Sequence, residues 1–449
     1  MSKLAINGGP KVREHPFPPY RVIGRREKEA VNRVLDSGIL SRYLGCWDRD
    51  FYGGPHVQKF EQEWATKFGV KHAVAVNSCT SGLYCAVGAA GVAPGDEVIV
   101  SPYTMAASAT APIIFNAIPV FADIEPDYFC LDVRSIEKRI TPRTKAIIVV
   151  DIFGQPYDAE AVNALAERHG LVVIEDCAQS PGALYHGQQA GTLGHIGVYS
   201  LNYHKHIHCG EGGVIVTDDD DLAERMRLIR NHAEAVVGDK GTENLVNMTG
   251  FNFRLPEIEA AIASCQLSRL DELIAERQEN CRYLNDTLEH IPALKPAAVR
   301  DDCTHVYYLH PFLYDKQIAG VHRNEFVEAV RAELPVTTLR EGEGPLLGSG
   351  YCKPLYLQPM FQRQVAYGPD GFPFKGPHYD GEVDYSAGLC PVSERLWSEE
   401  FFSHEMMRPG MTREDLDSVV EAFVKVWEYR EELKPAEETT TGQSYARRL

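Results

Sequence analysis

YSLNYHKHIHCGEGG, residues 199–213, places one lysine, Lys205, among three histidines and closes on Gly210, Gly212 and Gly213. An amine in such a setting is a solvated charge, an ion-pair partner or a nucleophile. It becomes a useful nucleophile when burial or a neighbouring charge lowers its pKa, because the neutral form then exists near pH 7. Glycines directly after the lysine let the backbone pass close to a bound ligand. GVYSL (197–201), running into the block, and GGVIVTDDDD at its end read as strands on either side of a site. Alone, a lysine followed by glycines leaves all three readings open.

Outward from this block the chain has an α/β rhythm. HAVAV (72–76), DEVIV (96–100), PVFADI (119–124), KAIIVVDI (145–152) and LVVIED (171–176) are short Val/Ile-rich runs. With GVYSL and GVIV (213–216) they make seven candidate strands. Helical patterns such as LYCAVGAAG (83–91) and DAEAVNALAERHG (158–170) separate several of them. Near-continuous apolar strands alternating with helices imply a mostly parallel sheet covered on both faces. Ligands then lie at the carboxyl ends of the strands.

Towards the N-terminus, residues 1–24 are rich in Pro and Gly and read as an extended arm outside the core. Amphipathic helices are predicted at 24–38 and 56–69. Between them, SRYLGCWDRDFYGG (41–54) is an aromatic loop suited to touching a ligand or a partner subunit. Towards the C-terminus, 255–288 reads as a long, broken helix bridging to a second domain. A smaller mixed region follows, ending in a Thr-capped helix in TREDLDSVVEAFVKVWEYREEL. The expected organisation is a large domain with its arm at 1–280, a small C-terminal α/β domain at 281–433, and a polar tail without fixed structure at 434–449. PDGFPFKGPHYDGEVDY (369–385) reads as a loop-like insertion with no assignable role.

Composition narrows the partners. Forty-five Lys and Arg against 63 Asp and Glu leave a net charge of −18, which argues against nucleic acid or an anionic membrane as the main partner. No apolar run approaches the roughly 20 residues of a membrane span, and the N-terminus lacks a signal-peptide pattern. A cytosolic, cytoplasmic protein is expected. Its eleven cysteines contain no CxxC pair, so they read as reduced apolar residues.

Four constellations can carry chemistry. The turn NSCTSG (77–82) joins a strand to a helix start, where free N–H groups and the helix dipole suit a phosphate; the plainer reading is a helix cap by Ser78 or Thr80. Asp176 closes LVVIED and faces the ligand crevice, where a carboxylate can hold a pyridinium nitrogen protonated; otherwise it is a cap or a surface ion pair. Lys205 lies 29 residues beyond Asp176 (205 − 176), with Ser200 five residues before it (205 − 200). His204, His206 and His208 alternate as metal ligands would, but a lysine in their midst opposes a dication, so packing is the preferred use and no metal is expected.

Taken in order, the phosphate turn, strand-end aspartate, Ser–Lys pair and GEGG resemble a vitamin B6 enzyme of aspartate-aminotransferase fold type, and more narrowly the DegT–StrS sugar aminotransferase family. The resemblance runs from about residue 4 to 430. It is carried by the 199–213 block, EDCAQSPGA (175–183), PGDEVIVSPYT (94–104), NAIPVFADIEP (116–126) and GFNFRLPEIEAAIASCQLSRLDE (250–272). It implies pyridoxal 5'-phosphate bonded to Lys205, which would also shuttle the substrate proton. Asp176 would pair with the pyridine nitrogen and Gln179 would lie near the phenolic oxygen. Cys79, Thr80 and Ser200 would hold the phosphate, joined by Asn252 from the neighbouring subunit of a homodimer. Arg254 would grip the amino donor's carboxylate, and the loop 37–43, with Tyr43, would border the site. Met105 stands where the family commonly places an aromatic ring, and a thioether still packs on a ring face. Cys79 replaces a usual glycine, which leaves its backbone N–H intact.

LAINGGP, SGILSRY and YCKPLYLQPMFQ (351–362) most resemble the branch that aminates cyclitol ketones such as scyllo-inosose from glutamine or glutamate. Nucleotide-linked keto-sugars are the main alternative, and aminohydroxybenzoate synthesis a remote third. Outside the enzyme class stand a non-catalytic regulator that kept the fold and a histidine-based metal hydrolase.

Overall fold

The computed structural model describes residues 2–433 of the 449-residue chain. The tail at 434–449 lies outside the described residues. Nine strands precede residue 220: β1 (His72–Val76), β2 (Glu97–Val100), β3 (Ile118–Phe121), β4 (Thr144–Val150), β5 (Val172–Asp176), the two-residue β6 (Leu184–Tyr185) and β7 (Gln188–Gln189), β8 (Ile196–Ser200) and β9 (Gly213–Thr217). Seven of them form one sheet in the order β1-β9-β8-β5-β4-β2-β3, while β6 and β7 pair alone. From β3 to β8 every pairing is parallel; β9 runs against both β8 and β1. The β8–β9 connection carries Lys205 and turns back without a crossover helix, so β9 must be antiparallel. That turn puts the Lys205 loop at the same sheet edge as the C-terminal ends of β1 and β5.

Both faces of the sheet are buried, as the Val/Ile runs require. Val74, Val98, Ile148, Ile174 and Val198 face one side with the helix Cys79–Ala89. On the other side, Ala73, Ala75 and Val214 pack under Trp64 and Leu255. The helix lies close because it offers glycine to the sheet: a Cβ on Gly82 would stand 2.6 Å from Val198 Cγ1. The long C-terminal helical stretch breaks into Glu257–Leu267 and Leu270–Leu288.

A second, antiparallel sheet of β10 (Leu294–Pro296), β11 (His310–Tyr314), β12 (Leu347–Ser349) and β13 (Phe401–His404) has the order β10-β11-β13-β12. Helices Arg323–Glu333 and Arg413–Glu428 cover it. As expected, Thr412 caps the last helix, accepting from the Asp415 N–H.

Two domain expectations need correction. The N-terminal arm belongs to the small domain: Leu4 and Phe17 are buried in its core, and Phe17 bridges to Thr337. Isolated apolar residues in a Pro/Gly-rich arm have no periodicity to announce their burial. Conversely, the insertion packs on the large domain. Phe374, Tyr379 and Tyr385 join that core, the Tyr385 hydroxyl donates to Pro119 O at 2.6 Å, and the Tyr379 hydroxyl donates to Glu97 at 2.9 Å. The insertion covers edge strand β3, whose open backbone would otherwise invite another chain.

Candidate active site

Asp176 closes β5 and is 5% exposed. Its Oδ2 accepts from the Ser108 hydroxyl at 2.6 Å and its Oδ1 from the Ala178 N–H at 3.2 Å. Burial pushes its pKa up, against the pull of Ser108, Ala178 and Lys205. The charged carboxylate is therefore short of positive partners, and a cationic N–H brought beside it would favour its ionised form.

The turn after β1 is a helix start, one turn earlier than the 83–91 pattern suggests. Ser78 is the N-cap, its Oγ accepting from Ser81 N–H at 3.0 Å. Capping leaves the Cys79 and Thr80 N–H groups at the mouth of the helix, where an anion is favoured. Ser200 reaches this place through the sheet. It pairs in register with Gly213, and a Cβ on Gly213 would stand 2.7 Å from Cys79 N. Burial and the Asp176 charge keep the Cys79 thiol protonated, so no thiolate opposes a phosphate.

Lys205 is 8% exposed. Its pKa is lowered by burial, opposed by the fields of Cys79, Asp176 and Glu405. Its Nζ stands 4.1 Å from the centre of the Tyr308 ring. A buried amine whose charged form is disfavoured supplies the neutral nucleophile that bonds to an aldehyde. The neighbouring histidines pack: His206 is buried with Nε2 on Val306 O at 2.8 Å, and His204 stands edge-on to Tyr203.

Gln179 is buried and spoken for at both ends of its amide. It accepts from Phe153 N–H at 2.7 Å and donates to the Tyr351 hydroxyl at 2.9 Å. Met105 is 54% exposed. Asn252 and Arg254 sit together, Arg254 Nε donating to Asn252 Oδ1 at 2.7 Å. They line a cleft of about 510 Å³ with Ser41, Asn77, Glu211 and Glu259. The Phe253 carbonyl accepts from Asn77 N–H, and Arg254 bridges to Val76, so this recess abuts the phosphate turn.

Tyr43 departs from expectation. It is buried, with the Arg230 guanidinium 5.1 Å from its ring centre and Gly53 packed against it. Ser41, not Tyr43, is the residue of that loop at the cleft. An aromatic in a Gly-rich loop reads equally well as a ligand contact or a core anchor, and here packing wins. Sequence reasoning gave no site role to Ser108, Tyr308 or Tyr351, although Tyr351 opens the 351–362 stretch; they meet Asp176, Lys205 and Gln179 only through folding.

Such an arrangement could hold a cofactor with an aldehyde, a ring nitrogen and a phosphate. Residues 23–375 match the DegT/DnrJ/EryC1/StrS aminotransferase family. The chain belongs to that family. It is a pyridoxal-phosphate-dependent aminotransferase. It is 34% identical over 414 residues to the spore coat polysaccharide biosynthesis protein SpsC of Bacillus subtilis (strain 168), covering 90% of this chain and 96% of that protein. It is 33% identical over 441 residues to the L-glutamine:2-deoxy-scyllo-inosose aminotransferase of Streptomyces kanamyceticus, covering 96% and 98%. The crystal structure of DesI in the presence of its TDP-sugar product superposes with a TM-score of 0.77 at 28% identity, covering 96% and 97%. All eleven cysteines are unpaired, and among the described residues no helix is long and apolar enough to cross a membrane.

The residues of this family member fit the cofactor. Pyridoxal phosphate supplies an aldehyde carbon and a ring that takes up electrons once its nitrogen is protonated. Asp176 offers an under-compensated carboxylate for that nitrogen, Lys205 an amine that sheds its proton readily, and the Cys79–Thr80 turn a pair of N–H groups beside a glycine-lined wall. Each demand is met by a different element, and all meet at one sheet edge.

Proposed function

We propose that this aminotransferase moves an amino group from glutamine or glutamate to a keto-cyclitol of the scyllo-inosose type or to a keto-sugar. The observation that carries the reading is that Lys205 and Asp176, two buried groups of opposite kind, lie within each other's field at one sheet edge. In this reading Lys205 bonds the cofactor and moves the substrate proton, and Asp176 holds the ring nitrogen. Cys79, Thr80 and Ser200 take the phosphate. Gln179 borders the phenolic oxygen, and Met105 covers the ring.

The cyclitol acceptor draws support from near full-length similarity to a glutamine-dependent inosose aminotransferase. The cleft at Arg254 adds a physical argument. Glu211 and Glu259 face it beside a single cation, a balance that suits a neutral polyol better than a diphosphate. A nucleotide-linked keto-sugar is the second reading, favoured by the likeness to DesI.

The active form in this proposal is a homodimer. Ile39, Leu40, Leu44, Trp47, Leu245 and Val246 are all exposed apolar residues, of the kind a second copy would cover. Asn252 and Arg254 would then serve the partner's site.

The test loads the protein with pyridoxal phosphate and follows its visible band. Glutamine or glutamate should convert the cofactor to its amine form, and an inosose should restore it. Lys205→Ala should lack the band that borohydride bleaches in the parent. Conversion by nucleotide aminosugars with aminocyclitols inert would move the assignment to the second reading. No conversion by any donor would overturn the catalytic role of Lys205.

A further inference from the structure

We infer that Tyr308 is a positioning residue for Lys205, its ring face holding the charged form of that amine in one place. The 4.1 Å separation of Nζ from the ring centre lies well inside the roughly 6 Å reach of a cation–π contact. Asp176, the obvious counter-ion, has its two oxygens on Ser108 and the Ala178 N–H. The ring is thus the near partner that the fold provides for the amine.

The contact is anchored from both sides. Tyr308 N–H donates to Phe153 O at 2.8 Å and Val306 N–H to Gly154 O at 2.7 Å. Gly154 permits this approach: its φ is +116°, and a Cβ there would stand 2.8 Å from Tyr307 N. On the other side His206, next to the lysine, bonds through Nε2 to Val306 O. The segment leading into β11 is therefore clipped to the loop after β4 and to the Lys205 loop at once.

The chemistry asks for such a contact. In the proposed reaction, on which the consequence of this inference rests, the amine is alternately bonded to the cofactor and free. A free ammonium on a four-carbon stem in a buried pocket has lost its water and needs a resting place within reach of the reacting carbon. The ring face supplies partial negative charge without a full anion that would trap the proton. Charged and titratable groups also facing the amine are Asp176 after β5, Cys79 at the helix start, Glu405 after β13, and His204 and His206 beside it. The ring acts against burial, so removing it makes Lys205 less basic.

The experiment uses the full chain freed of cofactor, which separates this inference from the reaction itself. The pH dependence of reductive methylation of Lys205 is read by peptide mass spectrometry in the parent, Tyr308→Phe, Tyr308→Leu, and a series with mono-, di- and trifluorinated phenylalanine at position 308. Fluorination drains the ring face while keeping its shape. The midpoint should stay with Tyr308→Phe, fall stepwise with fluorine number, and fall by about one unit in Tyr308→Leu. A flat fluorine series, or Tyr308→Phe falling as far as Tyr308→Leu, overturns the inference. If Tyr308→Leu does not fold, the fluorine series decides alone. Loss of amino transfer with these midpoints as expected would count against the proposed reaction and leave the contact standing.

Discussion

Gly213, first residue of β9, lies against the start of the helix after β1, so closely that a Cβ on it would stand 2.7 Å from the Cys79 amide nitrogen. The distance ties the two ends of the site together. The glycine that ends the lysine loop is also the wall of the turn at Ser78 and Cys79.

Gly213→Ala should therefore disturb the turn and not the lysine. The methyl has to displace backbone, which costs about 1–3 kcal/mol, and the Cys79 and Thr80 N–H groups move out of line. Pyridoxal phosphate affinity should fall by about tenfold or more, measured by equilibrium dialysis. Pyridoxal without its phosphate should bind the variant as it binds the parent. Equal loss for both ligands would contradict the assignment of the turn to phosphate.

Ser108→Ala tests Asp176. The hydroxyl supports the ionised carboxylate, and a hydrogen bond to a charged group is worth about 1.5–3 kcal/mol. Removing it raises the Asp176 pKa further, because the ionised form loses its donor. Ionisation then requires higher pH, so the acid limb of the pH–rate profile should move to higher pH. A limb that stays where it was would rule out Asp176 as its origin.

Tyr379→Phe separates the insertion from the chemistry. The lost hydroxyl leaves Glu97, 4% exposed, with one donor fewer, at a cost of about 1–3 kcal/mol. The unfolding temperature should drop while the visible band of the loaded enzyme keeps its position. A shifted band would mean that the insertion reaches the site.

Acid should act on the small domain through buried histidines. His404 is held at about 3 by burial. Its Nδ1 accepts from Met406 N–H at 3.1 Å, so the neutral ring carries its proton on Nε2 and donates it to His310 Nδ1 at 3.1 Å. Below about 6.5 the unfolded chain takes a proton that the folded one refuses until about 3. This contribution to stability is complete above the upper value and is lost as pH falls. Between about pH 7 and pH 5 the loss is about 2 kcal/mol. Asp151 and Glu175, both raised by burial and by the charge of a neighbouring carboxylate, act in the opposite direction and cancel in a comparison of variants. Over that interval His404→Gln should gain about 2 kcal/mol on the parent in urea unfolding. Parallel pH curves for the two proteins would show that the ring is protonated in the fold.

Much of this was readable in advance, for reasons particular to each element. HAVAV is β1 to the residue, and LVVIED contains β5, because a strand buried on both faces must be a continuous apolar run. The positions of Lys205, Asp176 and the Cys79 turn at one sheet edge were legible because each lies at or just beyond the carboxyl end of a strand, where a parallel sheet gathers its loops. Tyr43 was not. An aromatic in a loop carries no mark of which way it turns, and only the packing of Gly53 and Arg230 around it decides. The insertion was opaque for a similar reason: its buried aromatics follow neither helical nor strand spacing.

By itself, then, the sequence determined the strands, the helices between them, and the placing of a lysine, a carboxylate and a helix-start turn at strand ends, since these follow from neighbours along the chain. Only the tertiary structure decided that Ser108 would steady Asp176 from 68 residues away, that Tyr308 would stand over Lys205, and that the arm would serve the small domain. Such contacts depend on how distant segments turn back on one another. The gain of each comes from burial that no local pattern encodes.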